Sequence, residues 1–453
     1  MQVLFAKKVV FPLQEFLKRK NTLERAKELG QTQWLSAEGI KQLQFERLKR
    51  LLKFAYEHVP YYRRVFDEHG ARSYRFQSLD DLRTIPYLTR EMLRSEFNQL
   101  RADVPMRGVH QISTGGSSGS PVRILGDPNR NAFIDAARLR AHGWFNTDVG
   151  EREIVLWGSP IEITRQDRVR RIRDRLLNSR LLSAFTLEEQ TLSSYVHEII
   201  RFKPSKIYGY ASALYVLAEY FKKSQRKPPN TLKVIFATAE PLFDFQRRTI
   251  EEVFGVKVAV EYGARDAGLM ANECPRGRLH IPAEGMLIEI DNKPGVDYGE
   301  VIVTNLESRA MPLIRYRTGD VAEYDTDSCS CGRGLPILRA VQGRQTDFLL
   351  TRDGRLIHAL AVIYILRERP EIEQFQVRQE SLTKVVIRIV RRMELQPNIQ
   401  EQIIRDLKHV LGSGMEVDLL LSSAIDTSPS GKFRYVVSDV ARSYFETALE
   451  ASS

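Results

Sequence analysis

The sequence predicts an α/β protein: a large domain of parallel strands covered by helices, with a small barrel-like part, followed by a small, mobile α+β domain. Three observations predict this. From about Asp103, short β-branched or aromatic runs alternate with helical stretches, the pattern of a parallel sheet with helices on both faces. A chain of 453 residues is too long for one ordinary core. The pattern changes again after a polar stretch opened by glycine, Gly343–Asp347 (GRQTD), which divides residues 1–344 from 345–453.

Residues 1–100 read as a helical cap. Ile40, Leu43, Leu48, Leu51, Leu52 and Ala55 recur at near-helical spacing within 35–70, and the pattern stops at Pro60. Tyr61 and Tyr62 then pack this cap on the next layer. The strands are Ile154–Trp157, Lys206–Tyr208, Val234–Ala237 and Val256–Val260, and Leu192–Phe202, Ala213–Lys223 and Phe245–Phe254 supply helices between them. From about Gly285 to Val303 strands crowd together, as in a meander or barrel. The last segment mixes Gln374–Gln379, Lys384–Val390, Ile399–Leu411 and Val417–Leu421.

The balance of 43% hydrophobic and 28% charged residues is that of a soluble globular protein. No apolar run is long enough to span a bilayer, so no stable membrane insertion is expected. Met1–Lys20 is interrupted by Lys7, Lys8, Gln14 and Glu15 and lacks the apolar core of a secretory signal, which leaves cytoplasmic residence as the expectation. The net charge of +11 suits nucleic acid, anionic lipid or a phosphorylated substrate. The densest basic run, Arg165–Arg175 (RQDRVRRIRDR), is broken by two aspartates and reads as a solvated helix face, so no nucleic-acid partner is expected. Three cysteines do not make a disulfide framework.

The sharpest local feature is Ser113-Thr114-Gly115-Gly116-Ser117-Ser118-Gly119-Ser120-Pro121, between Ile112 and a strand-like Val122–Leu125. Small residues let backbone N–H groups and hydroxyls approach an anion, so the loop reads as a cradle for a triphosphate. It is not a Walker loop, because the G-x-x-x-x-G-K-[ST] spacing and its lysine are absent.

At this loop the chain begins to resemble the acyl-adenylate-forming superfamily, and most closely its phenylacetate–CoA ligase branch with the capsular-polysaccharide-associated relatives. Ordered motifs carry the resemblance along nearly the whole chain. Ala237-Thr238-Ala239-Glu240-Pro241 matches the stretch that lines the adenine pocket. Glu261-Tyr262-Gly263-Ala264-Arg265-Asp266 matches a motif whose tyrosine stacks on adenine and whose acid, usually glutamate, coordinates Mg²⁺. Tyr316-Arg317-Thr318-Gly319-Asp320 matches the motif whose aspartate accepts hydrogen bonds from the ribose diol, a task suited to a carboxylate with two acceptor oxygens. Gly343-Arg344-Gln345-Thr346-Asp347 matches a nucleotide-contacting arginine followed by an interdomain hinge, with Thr346 where relatives carry an acid or lysine. Ser428-Pro429-Ser430-Gly431-Lys432 matches the loop of the catalytic lysine.

The resemblance implies ATP-dependent activation of a small carboxylic acid to an acyl-AMP, with loss of pyrophosphate and transfer of the acyl group to CoA. Thr114 and its loop would hold the β- and γ-phosphates, Asp266 would hold Mg²⁺, and Lys432 would offset repulsion between carboxylate and α-phosphate. The acyl pocket would lie near Trp157, Gly158, Tyr208, Tyr210 and Ala237. An adenylyltransferase that stops after AMP transfer and a nucleotide-binding protein that lost catalysis are the alternatives. A homodimer is compatible with all three. Separately, Cys274-x5-His280 and Cys329-Ser330-Cys331-Gly332 have the composition of a closed Cys3His structural zinc site, if the intervening meander returns both ends to one place.

Overall fold

One eleven-stranded sheet organises residues up to Gln342, and its strands change direction partway across. In the computed structural model, the described residues are 2–71, 76–113, 122–157, 167–184, 187–240, 242, 244–291, 298–325, 327–342, 348–425, 435–438 and 440. The parallel end runs, from the edge inward, Ser179–Ser183, Glu153–Trp157, Lys206–Tyr210, Val234–Thr238 and Val258–Ala264. Val234–Thr238 is buried at every residue, as its unbroken VIFAT run requires of a strand covered on both faces. Helices Glu189–Phe202, Ala211–Lys223 and Asp244–Phe254 cover one face, in a core that includes Ile154, Ile207, Leu214, Ile235 and Ile250, while His142 of helix Pro128–Gly143 and Phe145 pack on Phe236 of the other.

Val258–Ala264 then turns through a hairpin into Gly268–Glu273, and from that junction every pairing is antiparallel. The crowded strands after Gly285 therefore extend the same sheet as a meander, Met286–Asp291, Tyr298–Asn305 and Tyr316–Asp325, closed by Ile337–Gln342 against Leu279–His280.

The cap sits on this antiparallel end. Ser36 caps helix Ala37–His58 by accepting a hydrogen bond from Gly39 N at 3.1 Å. Ile40, Leu48, Leu51, Leu52 and Ala55 are buried as their spacing requires, sharing a core with Met286, Val301 and Ile314. Leu43 is only half-buried; Gln44 takes the inward position and donates to the Met286 carbonyl at 3.1 Å. Pro60 ends the regular run by opening a second helix, Pro60–Glu68, after an extended Val59. Tyr62 is buried; its hydroxyl donates to Pro312 O and accepts from Ile314 N, both at 3.0 Å.

Residues from Leu349 to Val436 close a core of their own. Its four-stranded sheet runs Glu416–Leu421, Lys384–Arg391, Ile372–Ser381, Val436–Ser438, packed with helices Ala359–Arg367 and Pro397–Leu411. An Arg355–Glu188 ion pair at 3.1 Å links it to the large sheet's helical layer.

Candidate active site

The sheet's change of direction brings separate motifs together. Tyr262 lies on the last parallel strand, and Asp320 lies on the meander strand Tyr316–Asp325. The Tyr262 hydroxyl nevertheless donates to Asp320 Oδ2 at 3.0 Å. Ala239 and Glu240 follow the end of Val234–Thr238, whose Thr238 hydroxyl donates to the Glu261 carbonyl at 2.8 Å. Ala239 is held at φ +67°, a left-handed conformation that a non-glycine residue adopts only when its surroundings enforce it. Glu240 contributes by accepting hydrogen bonds from both the backbone N–H, at 3.1 Å, and the hydroxyl of Ser212. At Gly263 an added Cβ would meet Gly268 O at 2.8 Å, so this position closes the hairpin only as glycine. Ser113 ends the strand His110–Ser113, whose partner is Arg123–Gly126. The remaining expected nucleotide residues, Thr114, Gly115, Gly116, Ser117, Ser118, Gly119, Pro241, Arg344 and Lys432, lie outside the described residues.

The turn after Gly263 is held by two arginines that sequence reasoning missed. Arg130 is buried and donates to the carbonyls of Arg265 at 2.9 Å and Asp266 at 3.0 Å. Arg90 donates to Tyr316 Oη at 3.3 Å and Thr318 O at 3.0 Å, and lies 3.8 Å from Asp266 Oδ2. Tyr316 Oη in turn donates to Asp266 Oδ2 at 2.6 Å, and Ala267 N donates to Oδ1 at 3.1 Å. Burial and the Asp266 carboxylate push the Tyr316 phenol far above its ordinary range, so it stays protonated and remains the donor. Burial opposes the charge on Arg90, but Tyr316 and Asp266 hold its pKa above the ordinary value. No local motif marks Arg90 or Arg130, because each is remote in sequence from the turn it holds.

These contacts hold the Asp266 side chain at the turn. Its Oδ2 accepts from the Tyr316 phenol and lies 3.8 Å from Arg90, its Oδ1 accepts from the Ala267 amide, and the residue is buried. A hard cation at the position expected for magnesium would share these oxygens with the bonds they already make.

More positive charge borders the turn. Arg265 donates to Ser113 O at 3.3 Å, so it reaches the base of the glycine–serine loop. Arg367, from the small domain, feels the charge of Arg265: burial first, and Arg265 among the neighbouring charges, lower its pKa.

Of the expected acyl-pocket residues, Tyr208, Trp157 and Tyr210 form an aromatic stack, with ring centroids 5.9 Å and 4.3 Å apart across Trp157. Ala237 is buried on the adjoining strand, and Gly158 lies outside the described residues. The Tyr208 hydroxyl points inward and donates to Glu261 at 2.7 Å, while Arg138 grips the same carboxylate through two bonds of 2.8 Å. This charged network underlies the strand that carries Tyr262.

The three cysteines and His280 converge. Their four ligand atoms all lie within 4.8 Å of one another. Cys274 Sγ is 3.8 Å from Cys329 Sγ, and Cys331 Sγ is 3.3 Å from His280 Nε2. Sulfurs about 2.3 Å from one tetrahedral zinc sit about 3.8 Å apart, so the donor spacing fits that ion. His280 Nδ1 lies 3.2 Å from the Leu335 carbonyl, which orients the ring so that Nε2 faces the sulfurs. Arg276 N and Cys331 N donate to the sulfurs of Cys274 and Cys329 at 3.4 and 3.5 Å. Strand pairing explains the convergence: Ile337, just after the C-x-C turn, is registered with His280.

Comparisons with known proteins agree with this architecture. Residues 349–439 match the family model for the CapK C-terminal domain. The chain is 26% identical to a phenylacetate–CoA ligase of Thermus thermophilus, covering 89% of this chain and 97% of that one. It is 22% identical to protein CapK of Staphylococcus aureus, covering 94% of each. Among solved structures, a 2-hydroxyisobutyryl-CoA ligase in complex with 2-HIB-AMP and CoA aligns with a TM-score of 0.63 at 21% identity, covering 93% of this chain and 94% of that one. This likeness establishes a shared fold. The Escherichia coli (strain K12) phenylacetate–CoA ligase is 30% identical over 70% of this chain and 74% of its own length, and on that match the chain belongs to the phenylacetate–CoA ligase family.

Proposed function

We propose that the protein is an AMP-forming acid–thiol ligase. A carboxylate oxygen attacks the α-phosphorus of ATP, the bond to the β-phosphate breaks, and pyrophosphate leaves. A thiolate of CoA then attacks the acyl carbon, and AMP departs. One observation carries the reading: Tyr262 and Asp320, from motifs 58 residues apart, meet at 3.0 Å, while Arg265 of the Tyr262 motif reaches Ser113 O at 3.3 Å. The names of the relatives supply the reaction class. Ala239, Glu240, Tyr262, Gly263 and Asp320 hold the nucleoside in this reading. Ser113 to Gly119, with Arg265 at their base, receive the phosphates, and Arg344 contacts the nucleotide. Such chemistry is mostly positioning and charge stabilisation, with no protein nucleophile.

Lys432 is assigned to the reacting centre, where an ammonium offsets the repulsion between two anions. The Cys274, His280, Cys329 and Cys331 set is assigned to one structural zinc, with all four positions filled by protein and none left for substrate. Three reduced thiols fit cytoplasmic residence. The test is acid-dependent ATP–pyrophosphate exchange across a panel of aromatic and aliphatic acids, followed by thioester formation on adding CoA. Exchange without thioester would favour the adenylyltransferase, and ATP binding without exchange would favour a non-catalytic binder. Lys432→Ala is expected to lower exchange by about 10²-fold or more, the scale of losing one preorganised charge-stabilising group. Near-normal exchange would remove Lys432 from the mechanism.

A further inference from the structure

We propose that the N-terminal helical segment, with the basic helix beside it, docks the protein on the surface of an anionic phospholipid bilayer. The segment runs Gln2–Phe5, Ala6–Val10 and Phe11–Leu17, the middle stretch being π-helical. Its inner side is fixed to the large domain. Ala6 is buried against Gly150, where an added Cβ would lie 2.8 Å from the Ala6 methyl. Glu15 is buried and accepts from Thr22 N at 2.6 Å, and Lys7 and Lys20 pair with Asp148 and Asp135.

The outer side is apolar. Phe5, Val9, Leu13 and Phe16 recur at intervals of four, four and three, and are 51%, 48%, 57% and 78% exposed. Leu17 beside them is 72% exposed. A docked helix that shows its largest hydrophobic residues to water is displaying an interaction face. Lys8, Lys18 and Arg19 are exposed on the same segment.

The neighbouring elements continue this pattern. Phe11 and Gln14 share a cleft with Arg173 and with Leu181 of the sheet's open edge strand, Ser179–Ser183. The helix Asp167–Leu176 brings Arg173 and the exposed Arg175 to that edge, along with Ile172 at 62% and Leu176 at 46% exposure. Arg173 and Lys18 lie close enough for one charge to disfavour the other. Aromatic and aliphatic side chains flanked by clustered cations complement a bilayer with anionic headgroups. A protein surface would need matching carboxylates, and this chain's own charge of +11 argues against a second copy. Among the described residues no helix is long and apolar enough to cross a membrane, so the attachment is peripheral.

The test is co-sedimentation of the full chain with vesicles of phosphatidylcholine alone or mixed with phosphatidylglycerol. Binding is expected to the mixed vesicles, to be weak on phosphatidylcholine, and to fall with salt. The double variant F16S/L17S is expected to bind at least tenfold more weakly, and K18E/R19E roughly fivefold more weakly per cation removed. Both leave buried residues untouched, so exchange activity in solution stays unchanged. Three outcomes would overturn the proposal: no sedimentation with anionic vesicles, equal binding to neutral ones, or unaltered binding by both variants. So would a dimer in solution that F16S/L17S converts to monomer, since the face would then belong to a second copy.

Discussion

Removing the Tyr316 hydroxyl or the Asp266 charge separates a positioning role for this pair from direct metal binding. The phenol donates at 2.6 Å to a buried carboxylate, and Arg90 stands 3.8 Å from the same oxygen. A hydrogen bond to a charged acceptor contributes about 1.5–3 kcal/mol, so Tyr316→Phe should cost that much stability. Asp266→Asn removes one of the two carboxylates whose charge acts on Arg90, together with the charge that Tyr316 bonds, and should cost at least as much, about 2–3 kcal/mol. The two changes share Arg90, so the double variant should fall short of their sum by about 0.5–3 kcal/mol. Urea midpoints of the four proteins give these differences directly. Pyrophosphate exchange, titrated with Mg²⁺ in each, gives the functional consequence. Both single variants should lower the maximal rate, because the Arg265–Asp266 turn is no longer fixed, while the Mg²⁺ concentration at half-maximal rate stays the same. A tenfold higher Mg²⁺ requirement in Asp266→Asn, absent from Tyr316→Phe, would refute the reasoning and make Asp266 a metal ligand.

Gly263→Ala should cost about 1–3 kcal/mol, because its Cβ must displace Gly268 O from 2.8 Å, and exchange should fall as Tyr262 and Asp266 shift; a urea midpoint equal to the parent's would contradict the crowding. His142 is buried, stacked on Phe236 at 3.8 Å, and burial followed by the charges of Lys206 and Arg138 pulls its pKa well below the usual value. The unfolded chain therefore takes up a proton below about pH 6.5 that the folded chain refuses, so this residue costs stability as pH falls from there, and His142→Gln should flatten the urea-midpoint profile between about pH 7 and 5. Elemental analysis of the purified protein should find about one zinc per chain, and Cys331→Ser should reduce it and lower the thermal midpoint; full zinc retention in Cys274→Ser together with Cys331→Ser would exclude the site.

The fold was legible where one periodicity dominates. Val234–Ala237 reads as a strand because its short β-branched and aromatic run suits a strand buried on both faces, and the helix after Ser36 reads from its apolar spacing. Gln44 misled the pattern because a buried amide with a carbonyl partner is as acceptable inside as leucine. The continuity of the meander with the parallel strands was not legible, since it depends on the long-range pairing of Val258–Ala264 with Gly268–Glu273. At the candidate site, Tyr262, Asp320 and the cysteine cluster were marked by motif and spacing. Arg90 and Arg130 act through carbonyls and a phenol chosen by the fold, and nothing in their own neighbourhoods announces it. The partners of Asp266 were illegible for the same reason: Tyr316 and Arg90 are brought within its reach only by folding.

The strand Gly268–Glu273 begins two residues after Asp266 and ends one residue before Cys274. A sliding of this strand by a single residue would invert which side chains face each layer. The zinc proposed for Cys274 and its three partners would anchor the far end of this strand against such sliding and so hold the phase of the whole hairpin. Loss of that ion would then disturb the Asp266 turn at the other end, although none of the four proposed ligands lies in it.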